Sequence, residues 1–194
     1  MSNAVTLEHH EPDLVIRFTR PEIRSPLSVA VLDEIEHIVE AGERGKVRSI
    51  IFTGTGDVFA SGANLKEIAE ILPENAAEFA RRGQGLMAKI ASLPHLTIAA
   101  INGYCFGGAL DLALACDRRI ASSDANFAHP GAGLGIITGW GGTQRLARLV
   151  GTCNALEMFF TAVSIDAERA LQIGLIDEIA ADPLAEALGF ARAA

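Results

Sequence analysis

The sequence predicts an α/β fold built largely on parallel strands, and three observations predict it. Short apolar runs with strand character alternate with longer segments whose apolar residues recur at helical intervals. Glycines or prolines punctuate most of the junctions between them. The run Val47-Arg48-Ser49-Ile50-Ile51-Phe52-Thr53 reads as a buried strand, which fits largely parallel pairing.

The elements follow in order. Leu14-Val15-Ile16-Arg17-Phe18-Thr19 reads as a strand that ends at Arg20-Pro21. Ser28 is placed to cap a helix through Val31, Leu32, Ile35, Ile38 and Val39, closed by Gly42 and Gly45. Residues 47–53 form a second buried strand, stopped by Gly54 and Gly56. Phe79, Leu86, Met87 and Ile90 give a helix within 73–93. Residues 96–101 are a third strand. The dipeptide Asn102-Gly103 follows as a turn, because both residue types tolerate positive φ. Residues 118–122 are a fourth strand candidate. A capped helix over 165–174 precedes the short strand 175–179, and a last helix begins at Pro183 and runs to Ala194. No repeat, linker or low-complexity segment interrupts 1–194, so a single domain is expected.

Composition narrows the function. With 49% hydrophobic and 21% charged residues, the 194-residue chain has the make-up of an ordinary globular protein. A net charge of −8 argues against nucleic acid as the main partner. No apolar run is long enough to span a bilayer, and the first ten residues lack a basic-then-apolar leader pattern. Cys105, Cys116 and Cys153 are isolated and odd in number, with no metal spacing and no disulfide framework. They read as small buried apolar residues, no metal site is expected, and the setting they fit is a reducing cytoplasm.

Chemistry concentrates in two glycine-punctuated loops. In the first, paired Gly107 and Gly108 open a helix, residues 108–116, that is apolar nearly all round except for Asp111. A lone carboxylate in such a helix is costly unless it is paired or used. Gly108 brings unpaired helix N–H groups to the surface of the turn, and Asp111 falls one turn further down the same face. The second loop, Asp57 to Ile68, also follows a strand with small residues. Two loops that each offer backbone N–H groups can converge on one developing oxyanion.

Together the loops resemble a known pattern. Phe59-Ala60-Ser61-Gly62-Ala63-Asn64-Leu65-Lys66-Glu67 is similar to the F-x-A/S-G-A-D-L-K-E segment of the crotonase (enoyl-CoA hydratase/isomerase) superfamily. Residues 99–117 resemble its A-A-I-N-G-x-x-x-G-G-G-x-E-L-A-L-A-C-D segment. Further matches run from Gly133 to Leu146, from Ala155 to Met158 and from Ala167 to Ile176; Pro21 to Leu27 is a degraded form of P-x-x-x-N-A-L. The resemblance implies a crotonase-like fold of repeated ββα units. It also implies an acyl-CoA thioester as substrate, with coenzyme A as part of that substrate and no separate cofactor. Ala63 and Gly108 then match the two oxyanion donors. Asn64, Leu65 and Lys66 lie where the family loop meets the CoA moiety, and Arg20 and Arg24 are candidates for its phosphates. A homo-oligomer, trimer or hexamer, is expected, although the family's further C-terminal helices do not follow here.

The departures from the pattern matter as much. Asp111 stands where a hydratase of this family keeps its first catalytic glutamate. Gly131 stands where the second should follow Pro130, and no acid lies between Asp124 and Glu157. His129 is the candidate replacement, since a neutral imidazole moves protons near neutrality. Thr138 and Trp140, in a loop where the family often has proline and a small residue, read as pocket-shaping at most. Tyr104 reads as packing. The leading expectation is a thioester enzyme working by hydration, isomerisation or decarboxylation, with Asp111 as its one clear acid–base. The alternative is a CoA-binding, catalytically impaired homologue with an assembly or regulatory role. A dinucleotide site in Gly131–Gly135 is set aside, because the glycines have the wrong spacing and follow no buried strand.

Overall fold

A computed structural model describes residues 4–44 and 47–193. Gly45, expected to close the first helix, and the terminal Ala194 lie outside them. Strands β1 (Val5–His10) and β2 (Asp13–Phe18) make an antiparallel hairpin, and helix α1 (Val29–Arg44) follows. Three strand pairs come next: β3 (Ser49–Thr53) with β4 (Val58–Ala60), β5 (Leu96–Ile101) with β6 (Tyr104–Phe106), and β7 (Arg118–Ala121) with β8 (Asn126–Ala128). After the first pair come α2 (Leu65–Glu70) and α3 (Ala76–Ala91), and after the second comes α4 (Gly108–Ala115). The remaining elements are α5 (Gly142–Val150), α6 (Thr152–Thr161), β9 (Ile165–Asp166), α7 (Ala167–Gln172), β10 (Glu178–Ile179) and α8 (Pro183–Ala193).

Each strand pair is divided between two sheets. The first strand of each joins a six-stranded sheet of order β1-β2-β3-β5-β7-β10, parallel from β2 onward. The second joins a four-stranded sheet of order β4-β6-β8-β9, parallel except for β8 with β9. This is the ββα repetition expected of the sequence.

Burial explains why the long strands read as continuously apolar. Ile50, Phe52, Ala99 and Ile101 face the main core, while their neighbours Ile51, Ile98 and Ala100 pack under Ala187 and Ala191 of α8. Period-2 alternation still holds, but both faces are covered.

Strand β1 is an element that the residue pattern did not announce, because it is largely exposed. Three expectations are corrected. Helix α1 continues through Gly42, which sits against Ile50 rather than ending the helix. Asn102-Gly103 does turn the chain between β5 and β6, but neither residue has positive φ. Asn102 is held by its side chain, which accepts from Gly54 N at 2.8 Å and donates to the carbonyls of Gly56 and Val58. Gly103 is required because any side chain would run into the Asp57 backbone. Cys105 and Cys116 are buried as expected; Cys153, on the outer surface of α6, is exposed. No helix among the described residues is long and apolar enough to cross a membrane.

Candidate active site

The two glycine loops meet. Leu27 N donates to the Gly62 carbonyl at 2.7 Å, drawing the 61–64 loop against the segment before α1. Gly62 has φ +84°, and a Cβ there would lie 2.5 Å from Gly108 N and 2.7 Å from the Phe106 carbonyl oxygen. Only glycine allows that backbone-to-backbone approach. Gly107 has φ +56° and ψ −124°, and its amide donates to the Ala128 carbonyl at 2.8 Å. The amides of Ala63 and Gly108, at the meeting point, are not donors in the hydrogen bonds that shape these loops. Gly108 is the first residue of α4, where an N–H has no partner within the helix.

Both residues line a cavity of about 310 Å³. Its walls come from α2 and the residue that caps its end (Ile68, Ile71), from the start of α3 (Phe79, Ala80) and from the 130–140 loop (Leu134, Ile137). Trp140 backs the cavity, 2% exposed, with its indole against Gly83 of α3 and Gly108 of α4. A methyl group at either glycine would overlap the ring.

Asp111 is fully buried one turn below Gly108. The Thr138 hydroxyl donates to its Oδ2, and the Trp140 backbone amide lies close enough to favour the ionised form. Burial nonetheless pushes its pKa up from 3.8 to about 7, while the Thr138 hydroxyl, the Trp140 amide and the charge of Arg145 hold it down. Its other oxygen, Oδ1, has no hydrogen-bond partner within the protein and lies 3.6 Å from His129 Nε2. His129 leaves β8 at 3% exposure, its ring 5.0 Å from that of Phe159. Neither of its ring nitrogens has a partner, and burial lowers its pKa to about 4, so the ring is neutral near neutrality. Asp111 Oδ1 and His129 Nε2, both unpartnered, are therefore close neighbours. Such a set is costly unless a water or ligand satisfies it.

The structure thus brings Ala63, Gly108, Asp111 and His129 together. Asn64 is the N-cap of α2, accepting from Lys66 N at 3.1 Å, and Leu65 lines the cavity. Lys66 is exposed on the first turn of α2. Arg20 and Arg24 do not line the cavity; the Arg24 guanidinium lies 4.6 Å over the Tyr104 ring, which stacks on Phe106. Thr138 does more than shape the pocket, since it holds Asp111 directly. Sequence reading missed this partnership. The only hint was the departure at Thr138 from the proline usual in that loop.

Gly131 lies in the 3-10 turn Pro130–Leu134, beside the cavity. A Cβ there would sit 2.5 Å from the Ile136 carbonyl oxygen, and Ile136 N donates back to the Gly131 carbonyl at 3.0 Å. The turn closes over the place where a second acid would attach.

Comparison with known proteins identifies the family. The family model for enoyl-CoA hydratase/isomerase matches residues 11–192. The short-chain-enoyl-CoA hydratase of Clostridium acetobutylicum is 38% identical over 179 residues, 91% of this chain and 69% of that protein. A probable enoyl-CoA hydratase of Bacillus subtilis is 40% identical over 98% of this chain and 74% of its own length. Among solved structures, the enoyl-CoA hydratase of Bacillus anthracis superposes with a TM-score of 0.93 at 33% identity, covering 98% of this chain and 76% of that one. Pseudomonas aeruginosa DspI gives the same TM-score and identity, covering 99% and 80%.

Proposed function

Since the chain belongs to the enoyl-CoA hydratase/isomerase family, we propose that it adds water reversibly to a 2-enoyl-CoA, using one carboxyl and one imidazole in place of two carboxyls. The thioester oxygen accepts hydrogen bonds from Ala63 N–H and Gly108 N–H, which stabilise the enolate as charge develops. Water adds at Cβ, its proton passing to the Asp111–His129 pair, and a proton returns to Cα. A carboxyl with a pKa of about 7 has both forms populated near neutrality, as a general acid–base requires. His129, neutral and 3.6 Å away, accepts from the attacking water and orients it.

One observation carries this reading: the unpartnered Asp111 Oδ1 and His129 Nε2 lie 3.6 Å apart near the Ala63 and Gly108 amides. A water about 2.8 Å from both Oδ1 and Nε2 closes a triangle on their 3.6 Å separation. The crowding at Gly131 favours a second reading, a CoA-ester binder with little turnover. Incubation with 2-enoyl-CoAs, following loss of the conjugated thioester absorbance and gain of one water by mass, separates them. Hydration supports the proposal. A shifted double bond without water gain reassigns the chemistry to isomerisation, and binding without turnover favours the second reading.

A further inference from the structure

We infer that the cavity selects an uncharged aliphatic acyl group of medium length, about eight carbons, and rejects acyl groups that end in a carboxylate. This rests on reading the cavity as the thioester site. The walls supply the first half of the argument. Ile68, Ile71, Phe79 and Ala80 stand on one side, and Leu134 and Ile137 on the other. The two sides face closely, since a Cβ on Gly139 of the loop would touch the Ala80 methyl at 3.8 Å. Leu65, Leu134 and Ile137 at the lining are more than half exposed in the free protein. An exposed apolar patch around a cavity gains from being covered by hydrocarbon.

Size sets the length. At about 30 Å³ per heavy atom, the share of a water in the liquid, a volume of about 310 Å³ holds roughly ten heavy atoms. The thioester oxygen and sulfur account for two of these, leaving about eight carbons.

Charge supplies the second half. No Lys, Arg, Asp or Glu lines the cavity; its side chains with polar atoms are Ser61, His129, Thr138 and the indole of Trp140. Thr138 is committed to Asp111, and His129 is neutral near neutrality. A carboxylate on the tail of the substrate would lose its hydration with no cation to replace it. For the same reason a decarboxylation, which must first bind a carboxylate beside the thioester, is the poorest fit to this site.

Calorimetric titration with saturated butyryl-, hexanoyl-, octanoyl- and dodecanoyl-CoA, and with adipyl-CoA, tests the inference without depending on turnover. Affinity rises about fourfold per methylene up to about eight carbons and then stops rising. Adipyl-CoA binds at least 100-fold more weakly than hexanoyl-CoA. Ala80→Phe, which narrows the cavity from α3, moves the optimum to shorter chains. Equal affinity for butyryl- and octanoyl-CoA, adipyl-CoA binding as tightly as hexanoyl-CoA, or an optimum unmoved in Ala80→Phe overturns the selection while leaving the thioester site standing. Failure of every ester to bind overturns the thioester site and the selection with it.

Discussion

Thr138→Val removes a single hydroxyl and keeps the side-chain shape, so it isolates what that hydroxyl does for Asp111. The hydroxyl donates to Oδ2 of a carboxylate that burial has raised to about 7. A hydrogen bond to a charged group contributes about 1.5–3 kcal/mol, and one pKa unit corresponds to about 1.4 kcal/mol. Its loss therefore raises the Asp111 pKa by at least about one unit; the Trp140 amide and Arg145 remain to limit the rise. Half ionised at pH 7 in the native protein, Asp111 becomes about one-tenth ionised in the variant. The readout is kcat/KM for hydration across pH 5–10. The acidic limb moves from about pH 7 to about pH 8 or above, the rate at pH 7 falls about fivefold, and it recovers at pH 9 to 10. Thr138→Ser restores the native profile. A variant that is folded, yet has its acidic limb still near pH 7, refutes the reasoning.

Other consequences follow from the same geometry. The folded-state pKa of Asp111 lies above its ordinary 3.8, so the native state holds this proton more tightly than the unfolded chain does. The resulting stability is intact below about pH 4 and is lost as pH rises to about 7, a span of about 4 kcal/mol. Asp111→Asn removes that loss, so calorimetric Tm differences between variant and native protein widen from pH 5 to pH 8; parallel Tm curves would contradict the buried-carboxylate account. Gly131→Glu does not restore a second acid. The Ile136 carbonyl bars its Cβ, so Tm falls and turnover does not rise; faster hydration in this variant would show that the turn is not closed. Gly83→Ala places a methyl inside the Trp140 indole and costs about 1–3 kcal/mol in urea unfolding, whereas a neutral result would mean that the ring is not seated there.

Much of this architecture is legible in the residues, and the gaps have physical causes. The runs at β2, β3 and β5 are visible because α8 and the main core cover both faces, leaving each strand apolar along its length. Strands β4, β6 and β8 span three residues each, too few for a period-2 pattern to register, so the second sheet is invisible from periodicity. Strand β1 hides for the opposite reason: one of its faces is wet, and His9 and His10 do not look strand-like. At the site, Asp111 stands out as a lone acid in an apolar helix, and Gly62 and Gly107 mark the loops by backbone demands that only glycine meets. Thr138 does not stand out, because its bond to Asp111 spans 27 residues and exists only once the 130–140 loop folds over α4. The turn at Asn102-Gly103 lies where it was expected but depends on side-chain bonds and a close backbone approach rather than positive φ.

The central claim is that Asp111 carries the proton while Ala63 N–H and Gly108 N–H hold the thioester oxygen. It is tested most directly by measuring 2-enoyl-CoA turnover and acyl-CoA affinity together in Asp111→Asn. The account predicts affinity within a few-fold of the native protein and turnover lower by about 100- to 10,000-fold. Turnover that survives unchanged, in a variant that still binds, contradicts it.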